Sequence, residues 1–256
     1  VVLESYTFDD PAATGFDDIS LLTLPFGASF EPSPDFEITV SGAWARGEMT
    51  LQDGSALEIS GLTDTSIRAS YTVGADLMTL SGAVFLPTGK ANHTAEEARV
   101  AGAVAYDLLP FRIASWGTGG GADASVAVAA PVGSVSLGAR VGYRLSAEYE
   151  PFDAGGPTSQ AFVYDPGDQL YVRAAMDANV SRGSKFSLSA TWQTFGDDTR
   201  EGVNLFRTGD RLQGVASLAF PAVWDGSGWI YAGVMHRQEG AFLEVDLSGE
   251  LDPPPS

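Results

Sequence analysis

Strict alternation of apolar and polar residues runs through most of this chain, and it constrains the fold more than any other feature. In residues 22–30 the even positions Leu22, Leu24, Phe26, Ala28 and Phe30 are apolar, while the odd ones are small or polar. Phe36, Ile38, Val40, Gly42 and Trp44 alternate with Glu37, Thr39, Ser41, Ala43 and Ala45. The same reading applies to residues 66–73, 78–86, 100–106, 124–130, 135–145, 170–176, 186–192 and 212–220. Period two over such lengths is a strand with two chemically different faces. No stretch of comparable length places apolar residues at i, i+3, i+4 and i+7. The expected class is all-β.

The connections alternate too. Tight links at 32–35, 74–76, 107–110, 131–133, 180–184 and 221–228 are separated by longer ones at 46–64, 87–97, 117–121, 147–168 and 196–210. Short turns at one end and long loops at the other are the habit of outer-membrane barrels. With a first strand at 2–8 and a last at 242–249, the count is about fourteen, within a range of about twelve to sixteen. The expectation is one antiparallel, transmembrane, up-and-down β-barrel domain over residues 1–256, integral to a bacterial outer membrane.

The faces support lipid rather than a packed core. Phe36 and Trp44 stand eight residues apart on one face, about 26 Å at roughly 3.3 Å per residue. Tilted near 40°, that spans roughly 20 Å of height, close to the apolar band between aromatic girdles. The opposite faces are Ser, Thr, Ala, Gln and Arg, too small and polar for the second half of a sandwich core. No helix could span a membrane, since the run between Asp123 and Arg140 is broken by Pro131 and Gly133. A net charge of −19 argues against nucleic acid. The absence of Cys excludes disulfides and thiolate metal sites.

Three short strings carry a family resemblance: Leu86-Pro87-Thr88-Gly89-Lys90 closing a strand, Gly61-Leu62-Thr63-Asp64 before one, and Gly142-Tyr143-Arg144 ending one. With the overall pattern of residues 19–237, they resemble the outer-membrane barrels associated with the meta-pathway for phenol degradation. More broadly, they resemble the fatty acid and aromatic hydrocarbon transporters of Gram-negative bacteria. The resemblance implies a fourteen-strand barrel that passes poorly soluble molecules across the outer membrane. The family's N-terminal hatch is not expected here, because Val1 lies almost at the first strand.

Chemistry-bearing clusters are few. His93, with Glu96 and Glu97, and His236, with Glu239, read as solvated rim residues without a nucleophile motif, so no enzyme is expected. Asp9-Asp10, Asp17-Asp18, Asp197-Asp198 and Glu201 are oxygen-only clusters in outer loops that suit divalent cations. None has the spacing of a calcium loop, and solvated acids are the simpler reading. Residues 117–121 read as a flexible glycine loop rather than a phosphate cradle, and no cofactor is expected. By parity Arg68, Arg140 and Arg173 face inward, as do Glu244 and Asp246 of the last strand. These five are the candidate lumen-lining, solute-contacting residues. Small wall residues such as Ala101, Ala103, Ala105, Ser125, Ala127 and Ala129 leave space there.

The expected function is therefore a channel or passive transporter for small hydrophobic, weakly polar or anionic solutes. Its expected partners are membrane lipid and those solutes. The alternatives are a structural or adhesive barrel with a blocked lumen and partner-binding acidic loops, and a soluble secreted β-sandwich.

Overall fold

A computed structural model describes residues 1–74, 77–105, 109, 111–152, 162–181, 183–221 and 227–242. Its elements in chain order are β1 (Val2–Thr7), α1 (Pro11–Thr14), β2 (Phe16–Ser33), β3 (Phe36–Leu51), β4 (Ala56–Leu62), β5 (Thr65–Val73), β6 (Met78–Leu86), α2 (Ala95–Val104), β7 (Gly121–Val132) and β8 (Val135–Ser146). There follow β9 (Tyr164–Asp165), β10 (Gln169–Ser181), β11 (Ser184–Phe195), β12 (Asp197–Arg200), β13 (Val203–Arg207), β14 (Arg211–Pro221), β15 (Ser227–Arg237) and β16 (Ala241–Phe242).

The protein is all-β and antiparallel. One 12-stranded sheet runs in the order β1-β2-β3-β5-β6-β7-β8-β10-β11-β14-β15, with β4 also paired to β3. This is the up-and-down order of barrel proteins, with eleven strands on the path among the described residues and β4 beside it. Short links still alternate with long ones, because the structure removes two expected strands together and so preserves parity. The expected last strand falls mostly outside the described residues, as do Glu244 and Asp246. The chain divides into two compact units, one of residues 1–69, 83–122 and 146–165, the other of residues 70–82, 123–145 and 166–256.

In the first unit, β2 and β3 are 18 and 16 residues long, well beyond the roughly 9–11 that cross a bilayer. Their alternation changes phase along their length. Toward the β2–β3 turn, Leu24, Phe26 and Phe30 are exposed large apolar residues, Phe30 by 66%, paired across the sheet with Trp44, Gly42 and Ile38. Beyond Trp44 that face turns charged: Arg46 pairs with Glu48 and, at 2.8 Å, with Glu58. There the opposite face becomes the apolar one, with Ile19, Leu21, Ala45, Met49, Leu57 and Ile59 buried. The long loop expected at 46–64 is therefore largely hairpin, β3 continuing to Leu51 and β4 returning beside it.

Residues 100–105 are not a strand, and this corrects the sequence reading; position 106 lies outside the described residues. Residues 95–104 are α2, so Ala101 and Ala103 are not wall positions, and Val104 does not face lipid. Ala105 is the helix C-cap. Ala and Gly fit either period, and the deciding signals are Thr94 and Glu97. The Glu97 backbone N–H donates to Thr94 Oγ1 and the Thr94 N–H to Glu97 Oε2, a complete capping box. Val100 and Val104, one helical turn apart, bury against the fully buried Trp116. The Trp116 indole N–H donates to the Ala45 carbonyl at 3.1 Å. Gly47 makes room for this ring, since a Cβ there would stand 2.9 Å from Trp116 Cη2 and 3.2 Å from Val100 Cγ1.

Two of the sequence strings meet here. The Asp64 carboxylate accepts from the backbone N–H of Gly89 (3.0 Å) and of Thr118 (2.8 Å) and from the Thr118 hydroxyl (3.1 Å). Thr88 Oγ1 accepts from the Thr65 N–H at 2.8 Å. Asp64 thereby ties both ends of the connection that holds α2 to the sheet. The glycine loop at 117–121 is clamped rather than flexible: a Cβ on Gly117 would stand 2.8 Å from the Ala91 nitrogen.

Truncating Trp116 to Ala removes a fully buried aromatic and should cost about 3–5 kcal/mol of local stability. Hydrogen exchange should show α2 losing protection while β10–β15 keep theirs. Burial of Glu97 works against its charge, but the Lys90 ammonium and the Thr94 N–H outweigh it and hold the carboxyl below its ordinary range. A lowered folded pKa stabilises at all pH values above the ordinary carboxylate range. That stabilisation is lost as pH falls through the depressed value. Amide NMR of α2 should therefore hold steady through neutral pH and lose order only in acid, a transition that Glu97→Gln should abolish.

Candidate functional site

In the second unit, β8, β10, β11, β14 and β15 pair in one register, broken only between Asn179 and Ser181 of β10, and this assigns the side chains of the rows below to a face. One row reads Val141, Val172, Trp192, Leu212 and His236; another reads Leu137, Met176, Leu188, Ala216 and Ala232. Val141 and Leu188 are 48% and 45% exposed. This apolar face is the one expected to meet lipid, and Leu80 on β6 is exposed likewise. Its upper aromatics have their polar ends bonded to acids of the long connections. The Tyr143 hydroxyl donates to Asp168 Oδ2 at 2.9 Å and the Trp192 indole N–H to Asp210 Oδ2 at 3.2 Å. Rings with one wet end suit an interface.

The other face is polar. Its rows read Ser136, Asp177, Ser187 and Ser217, then Gly138, Ala175, Ser189 and Val215, then Arg140, Arg173, Thr191 and Gln213. A further row reads Gly142, Tyr171, Gln193, Arg211 and Arg237. Arg140 and Arg173 are direct cross-strand partners, which places their Cβ atoms about 4.5–5.5 Å apart.

Arg140 is held in place by three groups. Its Nη2 donates to Ser125 Oγ at 2.9 Å, stands 4.0 Å from Asp123 Oδ1, and its guanidinium carbon lies 5.5 Å from the Tyr171 ring centre. The Tyr171 hydroxyl crosses β8 to donate to Asp123 Oδ2 at 2.9 Å. Gly142 permits that crossing, since a Cβ there would stand 2.3 Å from the Tyr171 oxygen and 2.8 Å from Ser125 Cβ. Arg173 is held more loosely, its Nη2 reaching Ser189 Oγ at 3.4 Å. Beside the two arginines opens a cleft of about 210 Å³, lined also by Leu77, Thr79, Ala127, Ala129, Gly138 and Ala175.

Of the five expected residues, the structure thus brings Arg140 and Arg173 together. Arg68 belongs to the first unit, on the β5 face of Ser66, whose hydroxyl bonds that of Ser41 at 2.8 Å. Sequence reasoning missed Tyr171, Asp123 and Gly142. Gly142 sits in a quoted string, but a glycine in a strand signals a close approach without naming its neighbour.

The two histidines do not build a catalytic centre with these residues. His236 is exposed at the end of β15. His93, expected on a solvated rim, is buried instead, its backbone N–H donating to the Pro151 carbonyl at 3.1 Å. Among the described residues no three His, Asp or Glu side chains gather as metal ligands. The acidic outer segments engage their own neighbours: Asp197 pairs with Arg207, and Asp198 Oδ1 accepts the Gly167 N–H at 2.8 Å.

The second unit thus forms an all-β meander with one exposed apolar face and one polar, arginine-bearing face. Among solved structures, an outer membrane channel from Pseudomonas putida F1 has this fold, with a TM-score of 0.53 over 86% of this chain and 76% of that one, at 12% identity. No family model and no curated protein matches the chain.

Two glycines on one strand separate the roles of its residues. Gly142→Ala drives a methyl into the Tyr171 ring and should cost about 1–3 kcal/mol through overpacking. Gly138→Ala, whose Cβ would meet only the Val128 carbonyl at 3.6 Å, should stay within about 0.5 kcal/mol. Urea titrations of vesicle-folded protein would measure both.

Proposed function

We propose that this chain is an integral protein of a Gram-negative outer membrane and works as a channel or passive transporter for small hydrophobic or weakly polar solutes. The observation that carries this reading is the two-faced sheet of the second unit. Its apolar rows are exposed on one side, while small and polar residues on the other leave a cleft beside Arg140 and Arg173. A soluble protein rarely exposes apolar patches on that scale, and in a bilayer the same rows face hydrocarbon. The fold shared with an outer membrane channel supports the reading. So does the resemblance of the three sequence strings to barrels that pass aromatic and fatty molecules.

One observation favours a second reading, a structural or adhesive barrel closed by its own connection. Val100 and Val104 of α2 and Trp116 fill the core face of the first unit. Flux decides between the two. The full chain in liposomes should accelerate entry of a small neutral aromatic alcohol over protein-free vesicles, and equal rates would leave the closed reading. The lipid assignment has its own check. Val141→Arg should cost about 2–4 kcal/mol of folding stability in a bilayer, and Gly138→Arg on the polar face much less.

A further inference from the structure

The chain carries a large excess of negative charge, yet the polar face of β7 to β15 in the second unit is basic. On the paired strands β7, β8, β10, β11, β14 and β15 that face carries Arg140, Arg144, Arg173, Arg211, Arg237 and Lys185 beside the acids Asp123 and Asp177, and Arg144, Arg211 and Arg237 engage partners of their own. Both acids are engaged: Asp177 pairs with Lys185 at 2.9 Å and Asp123 accepts the Tyr171 hydroxyl. Like charges directly opposite across two strands destabilise a sheet, and Arg140 faces Arg173 in register. Among the described residues, Arg173 has no carboxylate within salt-bridge distance. Asp123, 4.0 Å from Arg140, offsets part of the charge of that side chain alone, and an outside anion would relieve the repulsion that remains at Arg173.

We propose that Arg140 and Arg173 form a binding site for small organic carboxylates with a short apolar body. The two guanidiniums present planar N–H forks that match a carboxylate. Arg140 is already oriented by Ser125 and the Tyr171 ring, so its fork is ordered before a ligand arrives. Arg173, bonded only weakly to Ser189, is free to swing toward the ligand. Beside the pair, Leu77, Ala127, Ala129, Gly138 and Ala175 line a cleft of about 210 Å³, which suits one aromatic ring or a short alkyl chain. The carboxylate selects for charge and the small residues admit the body. This deepens the channel reading, on which the site's role in transport rests.

The test is equilibrium binding to the full chain in a non-ionic detergent, read by fluorine NMR of 4-fluorobenzoate. The expected result is saturable binding that weakens with added salt, with 4-fluorobenzyl alcohol at least tenfold weaker. Arg173→Gln should weaken the benzoate at least tenfold, and Arg173→Lys should restore only part, because it returns charge without the fork. Ala175→Leu, which leaves every charge in place and fills the cleft, should weaken it as well. Circular dichroism and heat-dependent gel mobility would confirm that each variant folds. Equal affinity for acid and alcohol, or binding untouched by Arg173→Gln and Ala175→Leu in folded protein, would overturn the site. Liposome flux of the neutral alcohol separates the two claims: binding without flux removes the channel, and flux without carboxylate binding removes only the site.

Discussion

In-register antiparallel pairing is the interaction on which the rest of this protein depends. It satisfies the backbone donors and acceptors of each strand by its neighbours, the condition for polypeptide in contact with hydrocarbon. It also sends alternate residues to opposite faces wherever the register is unbroken. From β8 to β15 the register holds without a break on the rows described above, so Val141, Val172, Trp192 and Leu212 share one environment and Arg140, Arg173 and Thr191 the other. A one-residue slip anywhere in that series would exchange them. The apolar rows and the arginine pair are consequences of one register.

What each face touches decides which residues it can carry, and β2 and β3 show this within single strands. Over their lower halves, one face is exposed and holds Phe30, Phe26 and Leu24, while its reverse is small and polar. Above Trp44 that face carries Arg46 and Glu48, and the reverse buries Met49, Ala45 and Leu21 under Trp116. The backbone has not changed; the surroundings have. The change of phase marks where the strands acquire a protein core of their own, supplied by the long connection that Asp64 ties down.

The polar site is built from close approaches that only particular small residues allow. Gly142 lets a tyrosine lie across a strand to reach Asp123, and that ring in turn flanks Arg140. Gly47 performs the same service for Trp116. In both places the missing Cβ is filled by an aromatic ring from elsewhere in the chain, so the glycine and the ring act as one unit.

Residue patterning by itself determined the all-β class, the parity of the faces and the alternation of short and long links, because each is a property of consecutive residues. It also placed Arg140 and Arg173 on one face and on adjacent strands. It failed at residues 100–106, where Val-Ala-Gly-Ala-Val suits two periods and the capping pair Thr94 and Glu97 stands just outside the window. It stopped at Trp44, because beyond that point the apolar residues change sides while the strand continues. Only the tertiary structure decided that Arg140 meets Arg173 residue for residue, that Tyr171 reaches Asp123 over Gly142, and that Asp64 clamps Gly89 and Thr118. These are contacts between residues 25 to 54 positions apart, where the register of paired strands and the path of a long connection, rather than any local preference, bring side chains together.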